Sequence, residues 1–146
     1  MNMQQIIETV REFDGALVVA PEAGSAFPEI AWGDAYFYYA PDGRMPERTQ
    51  PYATIVTKNY PDDTSSLLDD PGRSRVNIHV GNDRADVLVP GTADPVQTDV
   101  LFRHPLYGTA GWVCVINPGE ETAETVLALL REAHDRAQAR TARRTR

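Results

Sequence analysis

The chain has 146 residues, 42% of them apolar and 24% charged. That length and balance fit one folded domain with a core that needs no metal or disulfide staple, and they exclude global disorder. The net charge of −7 repels nucleic-acid phosphates, and no apolar run is long enough for a membrane helix.

The charge is unevenly spread. Residues 131–146 hold six Arg against Glu132 and Asp135, a net of +4, which leaves −11 on the rest. The segment 141–146 reads as a basic, frayed tail, with a nucleic-acid contact as the competing reading. Cys114 is the only cysteine, so no intrachain disulfide or Cys-based metal cage is possible. Its neighbours Trp112, Val113 and Val115 mark it as a small buried apolar side chain. The polar start, Met1-Asn2-Met3-Gln4-Gln5, lacks the character of a signal peptide, so the expected location is cytoplasmic.

Taken in chain order, Ile6, Ile7, Val10 and Phe13 form one apolar stripe, which predicts a helix of about three turns closed near Gly15. Residues 17–20 predict a short strand and residues 21–28 a loop. The runs 29–32 and 35–39 bracket Gly33-Asp34, which predicts a hairpin, with one continuous bulged strand as the competing reading. Pro41-Asp42-Gly43 is a turn, and residues 52–58 are strand-like in their β-branched content. Residues 59–72 predict a polar loop with an apolar plug, Leu67-Leu68. Residues 75–80 alternate perfectly between polar and apolar, the clearest strand in the chain. Asn82 is placed to N-cap a short helix through Val87 and Leu88. Residues 90–97 predict loop, and the run 100–102 suits either a strand or a loop. Residues 112–116 predict a buried strand ended by Asn117-Pro118-Gly119. The last helix is expected over residues 122–140, with Val126, Leu129, Leu130, Ala133 and Ala137 facing the core.

Strands clustered between two terminal helices predict an α+β domain over residues 1–140. Its sheet would be mostly antiparallel, of about five strands, with both terminal helices on one face. The segments His104-Pro105-Leu106-Tyr107-Gly108, residues 111–119, residues 28–34, residues 54–58 and residues 75–78 together resemble an uncharacterised bacterial family, domain-of-unknown-function family 6194. The resemblance spans nearly the whole chain and implies no assigned activity. The layout is also similar to MmcQ/YjbR-like proteins, which implies a helix, an antiparallel sheet, a late strand containing Trp and a C-terminal helix. Some of those proteins carry a DNA-binding label or occur beside antibiotic pathways, and the acidic body departs from that label.

Three constellations could carry chemistry. Arg75, Asn77 and His79 share one strand face, and Lys58 or Tyr52 of a neighbouring strand would align with them. Arg and Lys suit an anionic or carbonyl group, and His79 a proton exchange; a hydrated face of cross-strand polar pairs is the alternative. Trp32, Tyr36, Phe37, Tyr38 and Tyr39 form an aromatic block, suited to core and rim, a ligand wall or a homodimer patch. Arg103, His104 and Tyr107 flank a proline turn, where His104 would be a general base or a turn residue bonded to backbone. No metal or cofactor is expected, because His79, His104 and His134 form no ligating pair.

The expected function is an accessory domain that binds a small organic molecule or a protein partner on its polar and aromatic sheet face. The second expectation is a small cofactor-independent enzyme of proton transfer, isomerisation or cyclisation. His79 or His104 would be its base, and Arg75 and Tyr side chains would polarise a carbonyl. Nucleic-acid binding through the Arg-rich tail comes third.

Overall fold

The computed structural model of the protein describes residues 1–144. It contains α1 (Met3–Arg11), β1 (Ala16–Val19), β2 (Ala35–Tyr39), β3 (Ala53–Val56), β4 (Arg75–His79), α2 (Asn82–Leu88), β5 (Phe102–Arg103), β6 (Trp112–Ile116) and α3 (Ala123–Arg144). The strands form one antiparallel sheet in the order β1-β2-β3-β4-β6-β5. The fold is therefore α+β. The sheet has six strands rather than about five, because the stretch around Phe102 pairs with Cys114 and Val113 as a two-residue edge strand.

Helix α1 opens with a reciprocal cap. The Asn2 side chain accepts from the Gln5 amide, and the Gln5 side chain accepts from the Asn2 amide. Ile6, Ile7 and Val10 of α1 pack with Val126, Leu129, Leu130 and Ala133 of α3. Both helices cover the sheet face formed by Phe37, Ala53, Ile55, Val76, Ile78, Val113 and Val115. Strict alternation on β4 thus sends Val76 and Ile78 under the helices and Arg75 and Asn77 to the opposite face.

Four local expectations change. Gly33-Asp34 makes no hairpin: a 3-10 turn over Glu29–Ala31 leads into β2, whose partners are β1 and β3. Asp34 is fully buried and serves as an internal acceptor instead of a turn residue. Gly81, not Asn82, is the N-cap residue of α2. Helix α3 continues through Arg144, past the expected end at residue 140; Thr145 and Arg146 lie outside the described residues. The turn leading into α3 is held by Asp99, whose carboxylate accepts from the Gly119, Glu121 and Thr122 amides. The Thr122 hydroxyl donates to it as well, and with those amides it lowers the Asp99 carboxyl to about 2.

Tyr52 also leaves its expected place. It precedes β3, and its ring turns into the helix-side core beside Ala53, breaking the strand alternation. The cause is buried His134 of α3. The Tyr52 hydroxyl lies 3.0 Å from His134 Nδ1, and His134 Nε2 lies 2.7 Å from the Asp14 carbonyl. A carbonyl only accepts, so Nε2 carries the proton and Nδ1 accepts from Tyr52. His134 thereby ties α3 to the sheet and to the α1–β1 turn.

Gly111 is a tight backbone-to-backbone joint. Its φ is +88°, and a Cβ there would lie 2.6 Å from Gly81 Cα. Its carbonyl accepts from both the Val80 and Gly81 amides. Gly111→Ala is expected to destabilise the protein by about 2 kcal/mol. Urea denaturation monitored by circular dichroism would show this, and an unchanged midpoint would rule out the close approach.

Candidate functional site

The sheet face away from α1 and α3 holds a cavity of about 480 Å³. One row of paired residues crosses four strands beneath it: Tyr36 on β2, Thr54 on β3, Asn77 on β4 and Cys114 on β6. Of these, Tyr36, Thr54 and Asn77 line the cavity, with Val56 and Trp112 to either side. The walls come from three connections. Gln50 and Pro51 precede β3; Tyr60, Asp62 and Asp63 follow it; His104, Leu106, Tyr107 and Ala110 join β5 to β6. The volume and the mostly apolar, aromatic lining are those of a small-molecule pocket.

The polar floor is held by Arg75, which is 1% exposed. Arg75 Nε donates to Asn77 Oδ1 at 2.8 Å. Nη1 donates to Asp63 Oδ1 at 3.1 Å and to Ser66 Oγ at 3.0 Å, and Nη2 donates to Asp63 Oδ2. Four of the five N–H groups of the guanidinium are thereby committed to internal acceptors. Burial pushes the Asp63 carboxyl up, but the Arg75 bonds and charge outweigh it and hold it below the usual range. Arg75 is thus a strut neutralised by its own carboxylate.

The fifth N–H of Arg75 faces His104 Nε2 at 3.1 Å. His104 Nδ1 accepts from the Leu106 and Tyr107 amides at 3.0 and 3.1 Å. A neutral imidazole carries one proton, so that proton is on Nε2, beside the guanidinium and 3.6 Å from Asp63 Oδ2. Charging the ring would need a second proton on Nδ1, which already accepts from two amides. Burial, and then the Arg75 charge, pushes His104 down to about 4 against the pull of Asp63 and Asp62.

A second buried hub stands at the β2 end. Asp34 Oδ1 accepts from the Thr57 amide at 2.9 Å, the Thr57 hydroxyl at 2.6 Å and Lys58 Nζ at 2.9 Å. Asp34 Oδ2 accepts from the Tyr60 hydroxyl. Burial and this bond raise Tyr60, and burial raises Tyr36, so both phenols keep their protons at neutral pH.

The sequence-derived candidates divide accordingly. Tyr36, Asn77, His104 and Tyr107 meet at the cavity. Arg75 lies beneath it, and His79 lies beside it, with Nε2 donating to the Ala110 carbonyl at 3.0 Å. Burial and then the charges of Arg136 and Arg140 lower His79, while the Ala110 bond opposes the shift. Lys58 reaches back to Asp34 and the Trp32 carbonyl rather than along the strand face. Trp32 donates to the Phe27 carbonyl, and Arg103 pairs with Asp86, both away from the cavity. Tyr38 borders a small cleft with Arg140 and Arg144, and Tyr52 belongs to the opposite face.

Sequence reading passed over Asp34, Tyr60, Asp63 and Ser66 as site residues. A lone Arg facing outward on an apolar-backed strand was the available signal. Once a loop covers it, it needs a carboxylate, and loop 59–72 holds the nearest acids. Among the described residues, no cluster of His, Cys, Asp and Glu is arranged to hold a metal, and no helix is long and apolar enough to cross a membrane.

A family model described as a family of unknown function (DUF6194) matches residues 1–146. No curated protein and no solved structure matches, so the MmcQ/YjbR-like arrangement has no solved counterpart for this chain.

Proposed function

We propose that this chain, which belongs to the DUF6194 family, is a binding domain for a small organic molecule held on its helix-free sheet face. The observation that carries this reading is the cavity of about 480 Å³, walled by Tyr36, Tyr60, Tyr107 and Trp112 over the polar row of Thr54 and Asn77. Flat aromatic walls offer stacking area, and the few floor groups fix orientation. The buried Arg75–Asp63 and Lys58–Asp34 pairs hold the loops that close the walls.

Proton-transfer catalysis has weaker support. Its candidate base, His104, spends Nδ1 on two backbone amides and faces a guanidinium with Nε2. His104 thus offers no free ring nitrogen to a substrate, and His79 stands outside the cavity lining.

Native mass spectrometry of the purified protein, then denaturation of the same sample, tests the binding reading. A retained small molecule is expected, and Ala110→Trp, which plugs the cavity from an exposed position, should abolish its retention. A molecule that the Trp variant still holds would place binding elsewhere. An empty protein that also takes up none of a panel of bicyclic aromatics would overturn the reading.

A further inference from the structure

The cavity's charge is set by Asp62 and Asp63 in its lining and by Arg75 beneath it. No Lys or Arg lines it among the described residues. Three cations on the neighbouring strands and loops are committed: Arg75 to Asp63, Lys58 to Asp34 and Arg103 to Asp86. Asp63 is matched by Arg75. Asp62 is the remaining acid of the lining, and neither a hydrogen bond nor an ion pair holds its side chain among the described residues.

The hydrogen-bond directions of the floor follow from proton counting. Tyr60 has one hydroxyl proton, and it is donated to Asp34 Oδ2. At the Tyr36–Tyr60 contact of 3.3 Å, Tyr60 must therefore accept and Tyr36 donate. The free lone pairs of the Tyr36 oxygen are then available as an acceptor. Across the same row, Asn77 Nδ2 donates one hydrogen to Thr54 Oγ1 at 2.9 Å. Asn77 keeps a second amide hydrogen, and Thr54 keeps its hydroxyl proton, both on cavity-lining side chains. The row thus runs from an acceptor at Tyr36 to donors at Thr54 and Asn77, with the unpaired carboxylate of Asp62 on the wall.

Resting on the binding reading above, we infer that the ligand is a planar, uncharged or amine-bearing molecule with a carbonyl-type acceptor, and that anionic ligands such as carboxylates and phosphates are rejected. A carbonyl oxygen would accept from Thr54 and Asn77. An N–H or ammonium group would meet Tyr36 or Asp62, with the aromatic walls favouring a cation over their faces. An anion would find no cation to pair with and would pay to be desolvated beside Asp62.

Titration calorimetry at pH 7.5 with three probes of one shape tests this: 1-naphthylmethylamine, 1-naphthaleneacetamide and 1-naphthaleneacetate. The amide and the amine are expected to bind, and the acetate at least about tenfold more weakly than the amide. Asp62→Asn, an exposed loop substitution, should weaken the amine by about fivefold relative to the amide. An acetate that binds as well as the amide would overturn the charge selection while leaving the cavity a binding site. An amine unaffected by Asp62→Asn would overturn the role of Asp62. Failure of all three probes to bind would remove the binding reading and this inference with it.

Discussion

Asp63→Asn is expected to destabilise the protein by about 3–5 kcal/mol, the largest effect of any single substitution proposed for it. Asp63 holds both Nη atoms of Arg75, and Arg75 is 1% exposed. Without the carboxylate charge, a guanidinium stays buried with an amide that can accept from one Nη only and turns its own N–H₂ toward another donor. The guanidinium cannot shed its proton to escape. The cost falls on loop 59–72 first, because the ion pair ties that loop to β4. Urea denaturation gives the magnitude. Combining Asp63→Leu with Arg75→Met should recover much of the loss, since an apolar pair avoids the uncompensated charge. A single Asp63→Asn cost below about 1 kcal/mol would mean that the pair is solvated and not a strut.

Stability is also expected to fall by about 3 kcal/mol as pH drops from 6.5 toward 4, with His104 as the source. The folded value of His104 is about 4, against an ordinary 6.5 when the chain is unfolded. Between those values the unfolded chain binds the proton and the folded one does not, so protonation draws the equilibrium toward unfolding as pH falls. Each pH unit inside the window is worth about 1.4 kcal/mol. Above 6.5 the contribution is complete and flat. Asp63, whose folded value is depressed, adds its own loss only below its ordinary 3.8, outside this window. His104→Asn keeps an acceptor for the Leu106 and Tyr107 amides and removes the titration. Thermal melts at half-unit pH steps should show a slope in the parent protein and a much flatter line in the variant. Equal slopes would assign the acid sensitivity to other groups, of which half-buried His79 is the first to test.

The two expectations meet at one cluster, and the chain shows only part of it in its sequence. The alternation of residues 75–80 announced a strand with Arg75, Asn77 and His79 on a shared face, and that face is the cavity side of β4. The apolar stripes of α1 and α3 announced two helices packed together over the other face. The place of Asn77 on the cavity face was therefore readable. Lys58 and Tyr52 were not readable as lying elsewhere. Strand period alone places Tyr52 beside Thr54, and only the buried His134 on α3, 82 residues away, explains why the ring turns to the other side. Likewise Lys58 follows β3 in sequence but is drawn to Asp34, a carboxylate that sequence reading took for part of a hairpin turn.

What the sequence by itself determined is the α+β class, the faces of the helices and of β4, and the membership in the DUF6194 family. The class and the faces follow from short-range periodicity, which sets the direction of each side chain within its own element, and the membership follows from the family model that matches residues 1–146. The tertiary structure alone decided which charges are spent and which are free. Arg75 resembles a ligand-binding cation until loop 59–72 delivers Asp63 and Ser66 to it, and His104 resembles a base until two amides of its own turn take Nδ1. The physical reason is that the work of a polar group depends on its unsatisfied valences. Those are fixed by partners brought from distant segments, and local spacing carries no record of them.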